Sequence, residues 1–193
     1  MEQLRAKKGF ICDMDGVIYH GNRVLPGVAE FIQWLHVENK EYLFLTNNSG
    51  YTPRELSQKL ARMGLDVTEE HFYTSALATA AFLRDQAPGC SVFAIGEAGL
   101  LNALYDAGIT MNDVNPDYVV VGEGRSYSLD TLTKATNLVW KGAKPIGANS
   151  DGSGPIENGI VPACRALVAP IEMDTGPPPH FCRQPTPLMM RTG

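Results

Sequence analysis

Apolar residues fall into two kinds of run along this chain. The first kind has no polar alternation: Phe10-Ile11-Cys12, Tyr42-Leu43-Phe44-Leu45, Ser91–Ile95, Tyr118–Val121 and Pro145–Ala148. Such runs predict strands buried on both faces, as in a parallel sheet covered by helices. The second kind repeats at helical spacing, as in Val28, Phe31, Ile32 and Leu35 after Pro26-Gly27. Leu56, Leu60 and Met63 form another such stripe, in a helix opened by the capping box Thr52-Pro53-Arg54-Glu55 and stopped by Gly64. Further helices are predicted from Ser75 to about Arg84, around Leu100, Leu101 and Leu104 up to Gly108, through Leu132, Ala135 and Val139, and from Ala163 to Met173. With a short strand near Phe72-Tyr73, the alternation of strand and helix predicts an α/β fold with parallel sheets. Pro88-Gly89 marks a boundary between two β-α series, and Gly176-Pro177-Pro178-Pro179 reads as an extended linker. No convincing element follows it.

Composition narrows the function classes. The chain of 193 residues is 44% hydrophobic and 19% charged, enough apolar material for a core. Its net charge of −5 and pI near 5.3 argue against nucleic acid or an anionic membrane as the main partner. Cys12, Cys90, Cys164 and Cys182 form no C-x-x-C pair, so neither zinc nor a disulfide framework is expected. No apolar run reaches membrane-spanning length, and Met1–Lys8 lacks the apolar segment of a signal peptide. The expected location is cytoplasmic.

The candidate chemistry lies at strand ends. Asp13 and Asp15 follow the first apolar run, with Gly16 behind them, at the edge where open α/β sheets bind ligands. If the strand continued they would lie about 7 Å apart. Two carboxylates that close have divergent pKa values, which suits a nucleophile beside a general acid. Asp-x-Asp also occurs in surface turns and in metal-dependent glycosyltransferases, so placement carries the argument. The loop Gly16–Arg23, with Tyr19 and His20, is either a flap or a plain connection. The second run ends in Thr46-Asn47-Asn48-Ser49, whose hydroxyl and amides can bond phosphate oxygens or simply build a turn. The same two readings apply to Asn149-Ser150-Asp151-Gly152. Gly122-Glu123-Gly124 looks like a phosphate loop only superficially, since a lone G-x-G is weak.

Phe10–Gly16 with Val17-Ile18-Tyr19, followed by Leu43–Ser49, resembles the haloacid dehalogenase superfamily, in its type IIA, NagD-like branch of sugar-phosphate and nucleotide phosphatases. Tyr51-Thr52-Pro53, Tyr118–Glu123 and Pro162-Ala163-Cys164 with Ala166-Leu167 add to the likeness, which covers nearly the whole chain. The resemblance implies a doubly wound parallel-sheet core, here incomplete, with an inserted α/β cap. It places core at 1–86, cap at 87–178 and a truncated return to the core at 179–193. It implies Asp13 as nucleophile, Asp15 as acid and base, and Thr46, Asn47 and Asn48 at the phosphate. Magnesium would be held by the Asp13 carboxylate and the Asp15 backbone carbonyl. Asn149 and Asp151 would contact substrate from the cap. The implied partner is a small phosphorylated metabolite, and a homo-oligomer is left open.

Departures from the family pattern temper this expectation. Arg183-Gln184-Pro185 stands where the family has Gly-Lys-Pro, so Gln184 replaces a lysine, and Arg165 stands where relatives have a small residue. The acidic fourth motif is absent before Gly193. Phe10–Cys12 is then expected at a sheet edge. The alternative function is a truncated, non-catalytic member that at most binds a phosphorylated ligand. A glycosyltransferase would leave Thr46–Ser49 unexplained.

Overall fold

The computed structural model describes residues 5–156 and 158–182. They fall into two compact units. The first comprises residues 5–46 and Pro53–Tyr73; the second comprises Asn47–Thr52 and the described chain from Thr74 onward.

In the first unit, β1 (Gly9–Asp13) leads through a small antiparallel hairpin, β2 (Tyr19–His20) and β3 (Arg23–Val24), to a helix at Val28–Val37. β4 (Glu41–Thr46), a helix at Pro53–Arg62 and β5 (Phe72–Thr74) complete it. The sheet order is β1-β4-β5, and β1 runs parallel to β4 in the register Gly9↔Glu41 to Asp13↔Leu45. The loop left open between flap and connection is thus a hairpin, and Tyr19 anchors it at 3% exposure. The helical stripe packs as predicted: Val28, Ile32 and Leu35 are buried with Leu56, Leu60, Phe44 and Phe72 in one core. Phe10 sits edge-on to Trp34 and Phe31, at 5.5 and 6.0 Å between centroids.

β1 departs from the both-faces expectation. Its residues alternate between exposed and half-buried, and Ile11 is 53% exposed. Phe10 and Cys12 face the core on one side, while nothing among the described residues covers the other. Within this sheet β4 has the continuous buried run, from Phe44 to Thr46.

The second unit opens with a helix at Ser75–Gln86, capped by the Thr74 hydroxyl accepting from Leu77 N. β6 (Ser91–Ile95), a helix at Ala98–Asp106, β7 (Thr110–Met111), β8 (Tyr118–Val121), a helix at Leu129–Trp140 and β9 (Lys144–Gly147) follow. An antiparallel hairpin, β10 (Ser153–Ile156) and β11 (Gly159–Pro162), precedes a helix at Cys164–Thr175 and β12 (His180–Phe181). The main sheet is parallel, in the order β12-β9-β8-β6-β7. Its faces bury alternate residues: Val120 and Ile146 join Leu83, Leu100 and Leu104, while Val119 and Val121 join Ala135, Val139, Val168 and Ile171. β8 and β1 lie in different sheets.

Two expected boundaries shift. The helix Ser75–Gln86, placed by sequence in the first domain, gives Ala76, Ala80 and Leu83 to a core of the second unit. His180–Phe181, expected to return to the first domain, pairs with β9 instead, beside Gly147, where any side chain would collide with the Phe181 ring. Arg183, Gln184 and Pro185, which stand where the family has Gly-Lys-Pro, lie outside the described residues. Arg165, the odd residue in its helix, ion-pairs with Glu172 at 2.5 Å and lies over the Phe181 ring.

Candidate active site

The register of β1 with β4 sets the site. With Asp13 opposite Leu45, Asp13 and Thr46 close the carboxyl ends of two neighbouring parallel strands. Ligands of open α/β sheets collect at this edge. Met14 N donates to Asp13 Oδ1 at 2.8 Å, which orients the carboxylate. Met14 is fully buried, while Asp13 and Asp15 on either side are exposed. Its carbonyl then accepts from Val17 N at 3.1 Å and Ile18 N at 2.8 Å, and Gly16 N donates to Tyr19 O at 2.8 Å. This tight coil needs Gly16 at φ +77°, a conformation costly for other residues. The glycine after the carboxylates is therefore a backbone requirement.

The Asp15 carboxyl is held above the usual carboxylate range. Partial burial is the main cause, and the charge of Asp13 adds to it; Lys59, a hydrogen bond from Tyr19 and His20 oppose it. Asp15 also retains exposed surface. Lys59 is itself pushed down by burial, with Asp15 opposing and Arg62 reinforcing. Its Nζ lies 4.0 Å from the centroid of the Tyr19 ring, within cation–π range. Lys59 carries no sequence signal for such a place, because it lies on the polar side of its helix pattern.

Thr46 is 1% exposed, and Asn47 and Asn48 are half-buried. Asn48 Oδ1 accepts from Gly50 N at 2.9 Å and Tyr51 N at 3.1 Å, a side-chain turn of the kind asparagine favours. The Asn47 carbonyl accepts from Ser75 Oγ and Asn149 Nδ2, each at 2.6 Å. Asn149 is wholly buried; its amide also donates to Glu123 Oε1 at 3.0 Å and accepts from Asp151 N at 3.0 Å. Asp151 is half-buried. Of the two readings of the Thr46–Ser49 stretch, these bonds establish the turn. Glu123 carries no sequence signal for these bonds, because its partners are 26 and 74 residues away.

A depression of about 520 Å³ lies at the amino-terminal ends of β6, β8 and β9, lined by Cys90, Asp117, Lys141 and Lys144. It is at the opposite edge from the strand ends that carry Glu123 and Asn149.

For a metal, Asp13 and Asp15 offer a carboxylate and a backbone carbonyl, both hard oxygen donors. Among the described residues no three His, Cys, Asp or Glu side chains converge. Two oxygens suit magnesium, which keeps several waters and takes one or two protein ligands plus substrate phosphate. The donors present fit that cation.

Fold and arrangement together define an α/β protein with a pair of carboxylates at the carboxyl edge of a parallel sheet. The family model described as haloacid dehalogenase-like hydrolase matches residues 10–110, and the chain belongs to that family. It is 43% identical over 183 residues to the dihydroxyacetone phosphatase of Corynebacterium glutamicum (strain R), covering 95% of this chain and 66% of that protein. It is 44% identical over 184 residues to the ribonucleotide monophosphatase NagD of Escherichia coli (strain K12), covering 95% and 72%. The solved structure of NagD from E. coli K-12 superposes with a TM-score of 0.87 at 43% identity, over 95% of this chain and 72% of that one. The acid sugar phosphatase of Staphylococcus aureus (strain USA300) is 38% identical over 188 residues, covering 97% and 73%. The chain thus spans about two thirds to three quarters of these relatives. No helix among the described residues is long and apolar enough to cross a membrane.

Proposed function

We propose that this chain carries the catalytic carboxylates of a magnesium-dependent phosphomonoesterase acting on a small phosphorylated metabolite, such as a sugar phosphate or nucleotide. The observation that carries the reading is the shared strand-end placement of Asp13 and Thr46 in adjacent parallel strands. The names of the relatives, which span a triose, ribonucleotides and acid sugars, support the substrate class. Four free thiols suit a reducing, cytoplasmic setting.

In this mechanism one Asp13 oxygen attacks phosphorus and the bond to the leaving oxygen breaks. Asp15, held protonated longer than an ordinary aspartate, gives its proton to that oxygen. The Thr46 hydroxyl, with Asn47, holds the phosphoryl oxygens, acting as neutral hydrogen-bonding groups. The Asp15 carboxylate then takes a proton from water as the water oxygen attacks phosphorus. The bond to Asp13 breaks, releasing inorganic phosphate and restoring the enzyme. Magnesium, when bound by Asp13 and the Asp15 carbonyl, supplies charge neutralisation at the phosphoryl group.

The test is hydrolysis of an aryl phosphate with magnesium by the chain and by Asp13→Asn. The expected loss is on the order of 10³-fold or more, since a missing nucleophile disables the set that acts as a unit. Equal rates from both proteins would remove Asp13 from the mechanism. Phosphate binding by both without turnover by either would favour the non-catalytic reading.

A further inference from the structure

In the second unit the carboxyl edge of the sheet is where a ligand would be expected. β6 lies between β7 and β8, so the chain leaves β6 to one side and then crosses to the other, which makes a topological switch point. The strand ends there lead into Gly96-Glu97, Gly122-Glu123 and Ala148-Asn149. What lies against them is the chain's own segment Asn47–Thr52, which belongs to this unit although β4 ends at Thr46.

The segment is held by a two-way clasp. Ser49 N donates to Glu123 Oε2 at 3.3 Å, and Glu123 N donates back to Ser49 Oγ at 2.8 Å. Glu123 Oε1 accepts from Asn149 Nδ2, which also donates to the Asn47 carbonyl. One carboxylate thus fixes Ser49 directly and Asn47 through one amide. Ser49 and Asn149 are both fully buried, so these bonds are shielded from competing water. Glycines bring the backbone in to meet them. A side chain at Gly99 would come within 2.6 Å of the Ser49 and Tyr51 carbonyl oxygens, and one at Gly122 within 2.9 Å of Ser49 Oγ. Gly99 N donates to Gly50 O at 3.0 Å. The fit leaves no slack on that side.

We propose that Glu123 is a positioning residue that, through Ser49 and Asn149, holds the Asn47–Tyr51 turn in the shape that presents its polar groups to a phosphoryl oxygen. The inference rests on the phosphatase reading, because it gives the turn a phosphate to hold. A purely structural role would affect stability and leave phosphate affinity alone. The carboxylate is the discriminating feature: an amide in its place keeps the volume but turns an NH2 group toward one of two N–H donors, which breaks one of the bonds.

The experiment compares the full chain with Glu123→Gln and, as a second route to the same clasp, Ser49→Ala. Hydrogen exchange followed by mass spectrometry reads residues 47–52 against the β8 amides, which report whether the unit remains folded. Calorimetric titration with inorganic phosphate, at fixed magnesium, reads affinity. With β8 still protected, each variant is expected to speed exchange in 47–52 and weaken phosphate by about tenfold, the equivalent of one charge-assisted hydrogen bond. Unchanged exchange in 47–52, or unchanged phosphate affinity after its protection is lost, would overturn the inference alone. A wild-type chain that binds no phosphate would overturn the phosphatase reading and, with it, the link from clasp to phosphate.

Discussion

Tyr42 shows how one side chain can carry a pH dependence. Its ring stacks on His71 with centroids 3.8 Å apart, and its hydroxyl meets His36 Nε2 at 2.9 Å. Burial first, then the charges of Asp66 and Glu70, push its pKa up to about 12. The folded state therefore keeps the neutral phenol that the unfolded chain loses near pH 10. That contribution to stability is complete below pH 10 and is lost as pH rises toward 12. In urea titrations across this window Tyr42→Phe should lose less stability than the parent; parallel curves would contradict the assignment. The strand-end positions of Asp13 and Thr46 were legible from sequence, because the apolar run before each marks that end. Ile11 is exposed against expectation because local apolarity predicts a preference for burial but cannot supply the covering partner. Glu123 was invisible for a related reason: its worth lies in partners that only the assembled sheet brings near.

At the level of elements, the long amphipathic helices and the strands of continuous apolar character were read within about two residues at each end, Tyr118–Val121 among them. Their signals are local periodicity and capping, which the folded context reinforces. The hairpin of β10 and β11 gave no such signal, having Gly154, Pro155, Gly159 and Pro162 in its strands. β12 follows three prolines and pairs through the space left beside Gly147, so it exists through tertiary packing. Similarly, Gly122 read as an empty phosphate-loop signal, whereas close backbone approach explains it. The same logic yields a prediction for the helix Ala98–Asp106. Gly99→Ala places a methyl against carbonyl oxygens that cannot turn aside, outweighing the usual helix preference for alanine. We expect a loss of about 1–3 kcal/mol, typical of overpacking, in urea-induced unfolding of the second unit. An unchanged or raised midpoint would show that the segment Asn47–Thr52 yields easily.

The molecule has two units with separate cores; Asp13 and Asp15 lie in the first, and the turn that follows Thr46 lies in the second. β1 has only β4 beside it among the described residues, and it exposes Ile11 at 53%. An edge strand with an apolar outward residue invites pairing with another copy. The 193-residue chain should therefore show concentration-dependent association in light scattering that Ile11→Lys reduces; equal masses for the two would place any self-association elsewhere. The account as a whole turns on Asp13 as nucleophile. Its most direct test is an acid quench of the chain turning over an aryl phosphate with magnesium, followed by peptide mass mapping of the phosphoryl group. The prediction is a phosphoryl adduct on Asp13, absent from Asp13→Asn and longer-lived in Asp15→Asn, where water lacks its base. Turnover by Asp13→Asn at the parent rate, or a phosphoryl group mapped to another residue, would contradict it.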